Sequence, residues 1–252
     1  MTLTLRFAPE LRFFLAPRHR GGVVRLDHDD TAGIGHVVQS LGVPLTEVGT
    51  LRVCGPEPDG PGGGNPGPTE REVGAEYRAR PGDVVDIAPP QLPQPLPVSP
   101  TRFVLDVHLG TLARRLRLVG VDTAYPDDFA DDRLIDLANT ERRVLLTRDR
   151  ALLFRRRLWL GAHVRADDPD DQLTEVLARF DPPLDPWTRC PACNGDLVGV
   201  AKAEVTDELM AGTRATYDTY SRCGPCGQVY WPGAHHRRLL HIVDRARRAV
   251  AR

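Results

Sequence analysis

Six of the twelve residues in "PPQLPQPLPVSP", residues 89–100, are proline. Proline lacks a backbone N–H and fixes φ, so this stretch forms neither a helix nor a central strand. It reads as an extended, semi-rigid linker at 89–100, which predicts separate bodies on either side of it. A length of 252 residues suits more than one core.

Residues 1–88 alternate in the manner of strands. "LTLRFAPEL" opens the block, and "GVVRL" (Gly22 to Leu26) can pair with it. "TAGIGHVVQSLGVP" places Ile34, Val37, Val38 and Leu41 on one helical face, with Gly42 and Pro44 as the stop. "VGTLRVCG" and "GDVVDIAPP" read as two more strands. The Gly- and Pro-rich "GPEPDGPGGGNPGPTE" between them reads as a flexible excursion, and Cys54 as a core residue of its strand. Strand, strand, helix and further strands suit a β-grasp. The block resembles ubiquitin-like domains of the sulfur-carrier type. Those act through a free terminal Gly-Gly, whereas this chain runs on through Pro89-Pro90, so a module that docks a protein partner is expected in place of carrier chemistry.

After the linker, short apolar strands alternate with helices, which implies a parallel sheet covered on both faces. Phe103–Leu105, Val121–Tyr125 and Val144–Leu146 read as strands, and Val164 as the end of a fourth. Leu109, Leu112, Ala113 and Leu116 repeat at helical spacing before Gly120. Ligands of open parallel sheets bind beyond the C-terminal strand ends. Asp106 ends the first strand, Asp149 follows the third, and "PDDFADD" (Asp127, Asp128, Asp131, Asp132) follows the second. Carboxylates gathered on one edge repel unless a cation neutralises them, and hard oxygen donors suit Mg²⁺ or Mn²⁺. Each acid is also a candidate helix cap.

"CPAC" (Cys190, Cys193) and "CGPC" (Cys223, Cys226) are two C-x2-C knuckles. Four thiolates at this spacing predict a closed, structural Zn²⁺ site in a zinc ribbon over 186–234. Beyond it "VYWPGAHHRRLL" leads into a basic segment, 235–252.

"RFVLDVHLGTLARRLRLVGVDTAY", "DDRLIDLA" and "RRVLLTRDRALL" together resemble the Mut7-C ribonuclease domain, a relative of the PIN nucleases, over roughly residues 100–240. The N-terminal block resembles the ubiquitin-like domain found with bacterial members. The resemblance implies three parts: a β-grasp at 1–88, a PIN-like α/β domain at 101–185, and a zinc ribbon. It also implies a metal-dependent ribonuclease with Asp106, Asp131 and Asp149 as Mg²⁺ or Mn²⁺ ligands. Asp131 is favoured over Asp132 because a helix N-terminus aims its side chain at the sheet edge. Asp167 and Asp168 are candidates for a fourth acid. His108 stands where an apolar residue is expected. His235 matches a histidine of the closing Y-W-x-G-x-H segment.

Arg148 is placed to contact phosphate, and Arg114, Arg115 and Arg117 to track RNA along an exposed helix face. Tyr230, Trp231, His235, Arg237 and Arg238 are the expected RNA grip, with structured RNA such as tRNA as substrate. Tyr230 and Trp231 read equally as packing against the ribbon. The competing reading is a non-catalytic RNA-binding adaptor whose acids are only caps. The N-terminus shows no secretory pattern and no apolar run spans a bilayer, so a cytoplasmic chain without membrane partners is expected.

Overall fold

The computed structural model describes residues 2–27, 31–55, 69–126 and 128–250. They divide into two compact units, residues 1–91 with 150–156, and residues 92–149 with 157–252.

In the first unit β1 (Thr2–Phe7), β2 (Val23–Asp27), α1 (Ile34–Ser40), β3 (Thr50–Gly55), β4 (Thr69–Val73) and β5 (Val84–Ala88) follow in chain order. The sheet order is β2-β1-β5-β3-β4. β1 and β5 are parallel, while β1/β2, β3/β5 and β3/β4 are antiparallel. One helix against such a mixed sheet is the β-grasp arrangement. Alternation along β1 sends Leu3, Leu5 and Phe7 inward, where they meet Ile34, Val37 and Val38 of α1. Gly42, at φ +101°, supplies the left-handed turn after α1.

Two expectations change here. β4 lies partly in the stretch read as a flexible excursion, most of which (56–68) is outside the described residues. Its sequence TEREV is polar, as suits a sheet edge. Cys54 is not a core residue. Leu51 and Val53 take the inward positions of β3, so alternation turns Cys54 to the opposite face. There its thiol lies 3.6 Å from the Asp86 carboxylate and 3.7 Å from Arg6. Burial and the Asp86 charge push that thiol's pKa up.

The second unit carries β6 (Phe103–Leu105), α2 (Gly110–Leu118), β7 (Thr123–Ala124), α3 (Asp131–Thr140), β8 (Val144–Thr147), β9 (Gly161–His163) and α5 (Pro169–Phe180). The short α4 (Arg150–Leu153), between β8 and β9, belongs to the first unit. The order β7-β6-β8-β9 is parallel throughout. Phe103, Leu105, Val144 and Leu146 pack with α2 and α5 in one core. Val104 and Leu145 point the other way and are also fully buried. Burial on both faces explains why these strands read as unbroken apolar runs.

β10 (Leu197–Val200), α6 (Lys202–Val205), α7 (Ala211–Thr216), β11 (Tyr220–Cys223) and β12 (Val229–Tyr230) build the cysteine module, an antiparallel sheet ordered β10-β11-β12. Its own core is small: Val205, Leu209, Tyr220 and Val229. α8 (His236–Val250) follows. The basic tail is therefore not a freely solvated helix, because Val243, Ala246 and Ala249 are buried in the same core as α2 and α5. The later part of the Pro-rich segment is also docked on this unit, with Gln94 and Arg179 exchanging hydrogen bonds of 2.6 and 2.8 Å.

Candidate active site and cysteine cluster

From β6 the chain steps outward to β7, then crosses back over β6 to β8. Such a reversal opens a crevice beyond the C-terminal ends of the two central strands. Asp106 leaves β6 at this crevice, and Thr147, Arg148 and Asp149 leave β8 beside it. Asp106 is only 5% exposed. Its carboxylate accepts the His108 N–H at 2.9 Å, the Arg148 N–H at 3.1 Å and the Thr147 hydroxyl. Thr147 is fully buried, and its oxygen accepts the Asp149 N–H at 2.8 Å. One hydroxyl thus ties the two strand tips together. The sequence "LLTRD" displays this threonine, but a hydroxyl at a strand end carries no signal in sequence that distinguishes it from an ordinary β-branched residue.

Tyr125, after β7, donates its hydroxyl to the Val107 carbonyl at 2.8 Å. A Cβ on Gly110 would stand 2.8 Å from that hydroxyl oxygen, so the motif glycine is where the ring crosses the turn. His108 is exposed, while the His163 Nε2 lies 3.2 Å from the Arg148 carbonyl.

The remaining acids separate by role. Asp131 is exposed in the first turn of α3, whose N-cap is Ala130, so Asp131 is not the cap. Asp132 and Asp136 both pair with Arg157, at 2.9 and 3.0 Å. Asp128 is exposed, and Asp127 lies outside the described residues. Asp168 is the cap of α5, accepting the Asp170 and Asp171 N–H groups, which hold its carboxyl pKa below the usual range. Asp167 instead pairs with Arg148. Among the described residues Asp106, Asp131 and Asp149 do not form a group with ligand atoms within 4.8 Å of one another, as the cysteines do.

Cys190, Cys193, Cys223 and Cys226 bring all four sulfurs within 4.8 Å of one another. Cys190 and Cys226 Sγ are 3.7 Å apart, and Cys193 and Cys223 are 3.3 Å apart. Zn–S bonds of about 2.3 Å in a tetrahedron place sulfurs about 3.8 Å from each other. The cluster therefore has the dimensions and the donor chemistry to hold a zinc ion. Tyr230 reaches it too, its hydroxyl 3.0 Å from Cys190 Sγ. Burial would raise the Cys190 thiol, but the Tyr230 hydroxyl and the Cys193 and Ala192 N–H groups prevail and bring it to about 7. Burial pushes Cys223 up to about 12, a protonation that a bound cation would displace.

A family model described as the Mut7-C RNAse domain matches residues 101–243. The chain belongs to the Mut7-C RNase domain family. A second model, described as Mut7-C ubiquitin, matches residues 1–60. No curated protein and no solved structure matches the chain. Membership supports a nuclease or RNA-related role, and the match spans both the strand-tip acids and the cysteines. No helix among the described residues is long and apolar enough to cross a membrane.

Within the Mut7-C domain, several expected RNA contacts sit elsewhere. Of the three arginines on α2, Arg114 is exposed, but Arg115 pairs with Asp170 at 3.0 Å. Arg117 is 4% exposed and donates to the carbonyls of Thr123 at 2.8 Å, Ala192 at 2.8 Å and Pro191 at 3.1 Å. It lies four residues after Ala113, on the edge of the apolar stripe, where a long side chain can bury its stem. Tyr230 faces the cysteines, whereas Trp231, His235, Arg237 and Arg238 are exposed.

Asn194, just after the first knuckle, accepts the Thr123 N–H at 2.9 Å and donates to Asp122 at 2.8 Å. Asp122 also receives Arg143 at 2.6 Å. β7 is an edge strand, and Asn194 and Arg117 satisfy Thr123 on the side where no strand pairs. The cysteine module is thus bolted to the edge of the parallel sheet.

Proposed function

We propose that the chain is a metal-dependent ribonuclease that hydrolyses RNA phosphodiester bonds at the C-terminal edge of β6 and β8. The observation that carries this reading is the restrained carboxylate of Asp106, in a chain of the RNase-domain family. Three donors occupy three of its roughly four acceptor positions, leaving capacity for one more ligand. Asp106, Asp131 and Asp149 would hold Mg²⁺ or Mn²⁺. Such ions keep waters and bind through one or two carboxylates plus substrate phosphate, so no tight three-carboxylate cage is required. When bound, the ion supplies Lewis acidity and neutralises charge on the phosphate.

The protein's own groups do the rest. Thr147 and two backbone N–H groups hold Asp106 in one orientation. Arg148, half-exposed beside Asp149, can leave its surface pair with Asp167 for a phosphate. Arg114 on α2, with Trp231, His235, Arg237 and Arg238 further along the chain, would engage a structured RNA such as tRNA. The zinc ion is structural. Thiol ligands suit a reducing compartment, hence the cytoplasm, and the ubiquitin-like unit serves to dock a protein partner.

The test is Asp149→Asn in the full-length chain. Labelled tRNA and single-stranded RNA are incubated with Mg²⁺ or Mn²⁺, and binding is followed separately. The variant should bind but not cut. A wild type that cuts neither RNA in either metal, or a variant that cuts at the wild-type rate, would end the reading.

A further inference from the structure

Trp187 has φ +71°, a left-handed backbone conformation in which a bulky side chain is an outlier. Its N–H donates to the Leu118 carbonyl at 3.1 Å, and the Thr188 hydroxyl closes on the Asp185 carbonyl at 2.6 Å. That turn is served best by glycine or asparagine. Burial does not account for the indole either, since Trp187 is 36% exposed and outside the cores. Outliers held against local preference concentrate where a side chain has work to do.

The surroundings indicate what that work is. One side of the indole lies against His236, ring centroids 5.1 Å apart and planes 37° inclined. His236 opens α8, and Arg237 and Arg238 follow it. Both arginines are exposed, and neither has an ion pair among the described residues. An aromatic pair at the first turn of a helix that carries exposed arginines fits a ligand with a π face and phosphates further along its chain.

We infer that Trp187, backed by His236 at the start of α8, is a stacking platform for an unpaired RNA base. The substrate then carries a single-stranded segment, because bases inside an A-form duplex cannot be stacked on from outside. This rests on the ribonuclease reading and refines it. The Trp187 amide meets the C-terminal end of α2, whose other end begins four residues after Asp106. Nine helical residues span about 13 Å, so the platform grips substrate away from the reacting atoms.

The test uses the full-length Asp149→Asn chain, so that RNA stays intact, with fluorescence anisotropy on labelled unpaired RNA and on a blunt RNA duplex. Trp187→Ala should weaken binding of the unpaired RNA by about tenfold and leave the duplex nearly unchanged, while Trp187→Phe keeps most of the affinity. Thermal melts show whether each variant is folded, and the phenylalanine variant carries the comparison should the alanine variant not fold. Equal affinity of Trp187→Ala and its parent for unpaired RNA overturns the platform, as does an equal loss on both RNAs. Wild-type cleavage measured in parallel separates that outcome from failure of the nuclease reading, in which nothing is cut at all.

Discussion

Replacing Thr147 by valine tests the idea that one hydroxyl holds the strand tips in register. Valine keeps the shape and the β preference of threonine but removes a fully buried oxygen that donates to Asp106 and accepts from the Asp149 N–H. Asp106 would keep its two backbone donors, so the carboxylate is loosened, not stranded. The main cost is the Asp149 N–H left without its acceptor, together with one lost charge-assisted bond. Unsatisfied groups of this kind cost about 1–3 kcal/mol. For a unit of this size that corresponds to a fall in melting temperature of about 2–4 °C per kcal/mol. Cleavage should fall more steeply than stability, since about 1 Å of misplacement can cost on the order of a hundredfold in rate. Urea unfolding and RNA cleavage in Mg²⁺ would be measured on wild type, Thr147→Val and Thr147→Ser, with serine restoring both. A valine variant that unfolds later than wild type refutes the energetic argument. One that is destabilised yet cuts at full rate refutes the link from Thr147 to catalysis.

Removing the metal by chelation should release amide protection across residues 186–234 while the 1–88 block keeps its own, because the module's core holds only a few apolar side chains. Hydrogen exchange by mass spectrometry reads this, and unchanged protection in β10 to β12 would show that metal does not order them. A pH effect is expected at Asp122. Burial would raise its carboxyl pKa, but hydrogen bonds from Arg143 and Asn194 outweigh it and hold the folded value low. Stability from this group is therefore present above the ordinary carboxylate pKa of about 4 and lost as pH falls through the depressed folded value. Asp122→Asn should flatten the acid limb of urea midpoints, and an acid limb as steep as wild type would count against it.

Much of this arrangement is legible in the sequence because two periodicities carry it. Alternation in "LTLRF" and the helical spacing of Ile34, Val37 and Val38 suffice for the β-grasp core. The unbroken runs "FVL" and "VLL" suffice for a doubly covered sheet with acids at its tips. The cysteine spacing gives the cluster directly. What escapes is determined by tertiary context. β4 is polar and finds its place by pairing with β3, and the Cys54 face depends on register. Arginine is a surface residue in most settings, so composition alone points Arg117 toward solvent, whereas its position on the α2 stripe buries it. In the same way the arginines of α8 dominate its composition, while Leu239, Val243 and Ala246 repeat on one side and enter the core.

The bolting of Asn194 and Arg117 onto β7 has a consequence for anyone dividing this protein. Sequence texture suggests cutting near Pro186 to obtain a minimal catalytic piece. Such a fragment would lose the groups that occupy the outer margin of β7, and with α8 gone α5 would show bare the apolar side that Val243 and Ala246 cover. An open strand margin next to uncovered hydrocarbon invites other chains to attach. The cysteine module and the last helix are better regarded as the wall of the Mut7-C domain, and the smallest portion worth purifying runs from the proline stretch to the end of α8.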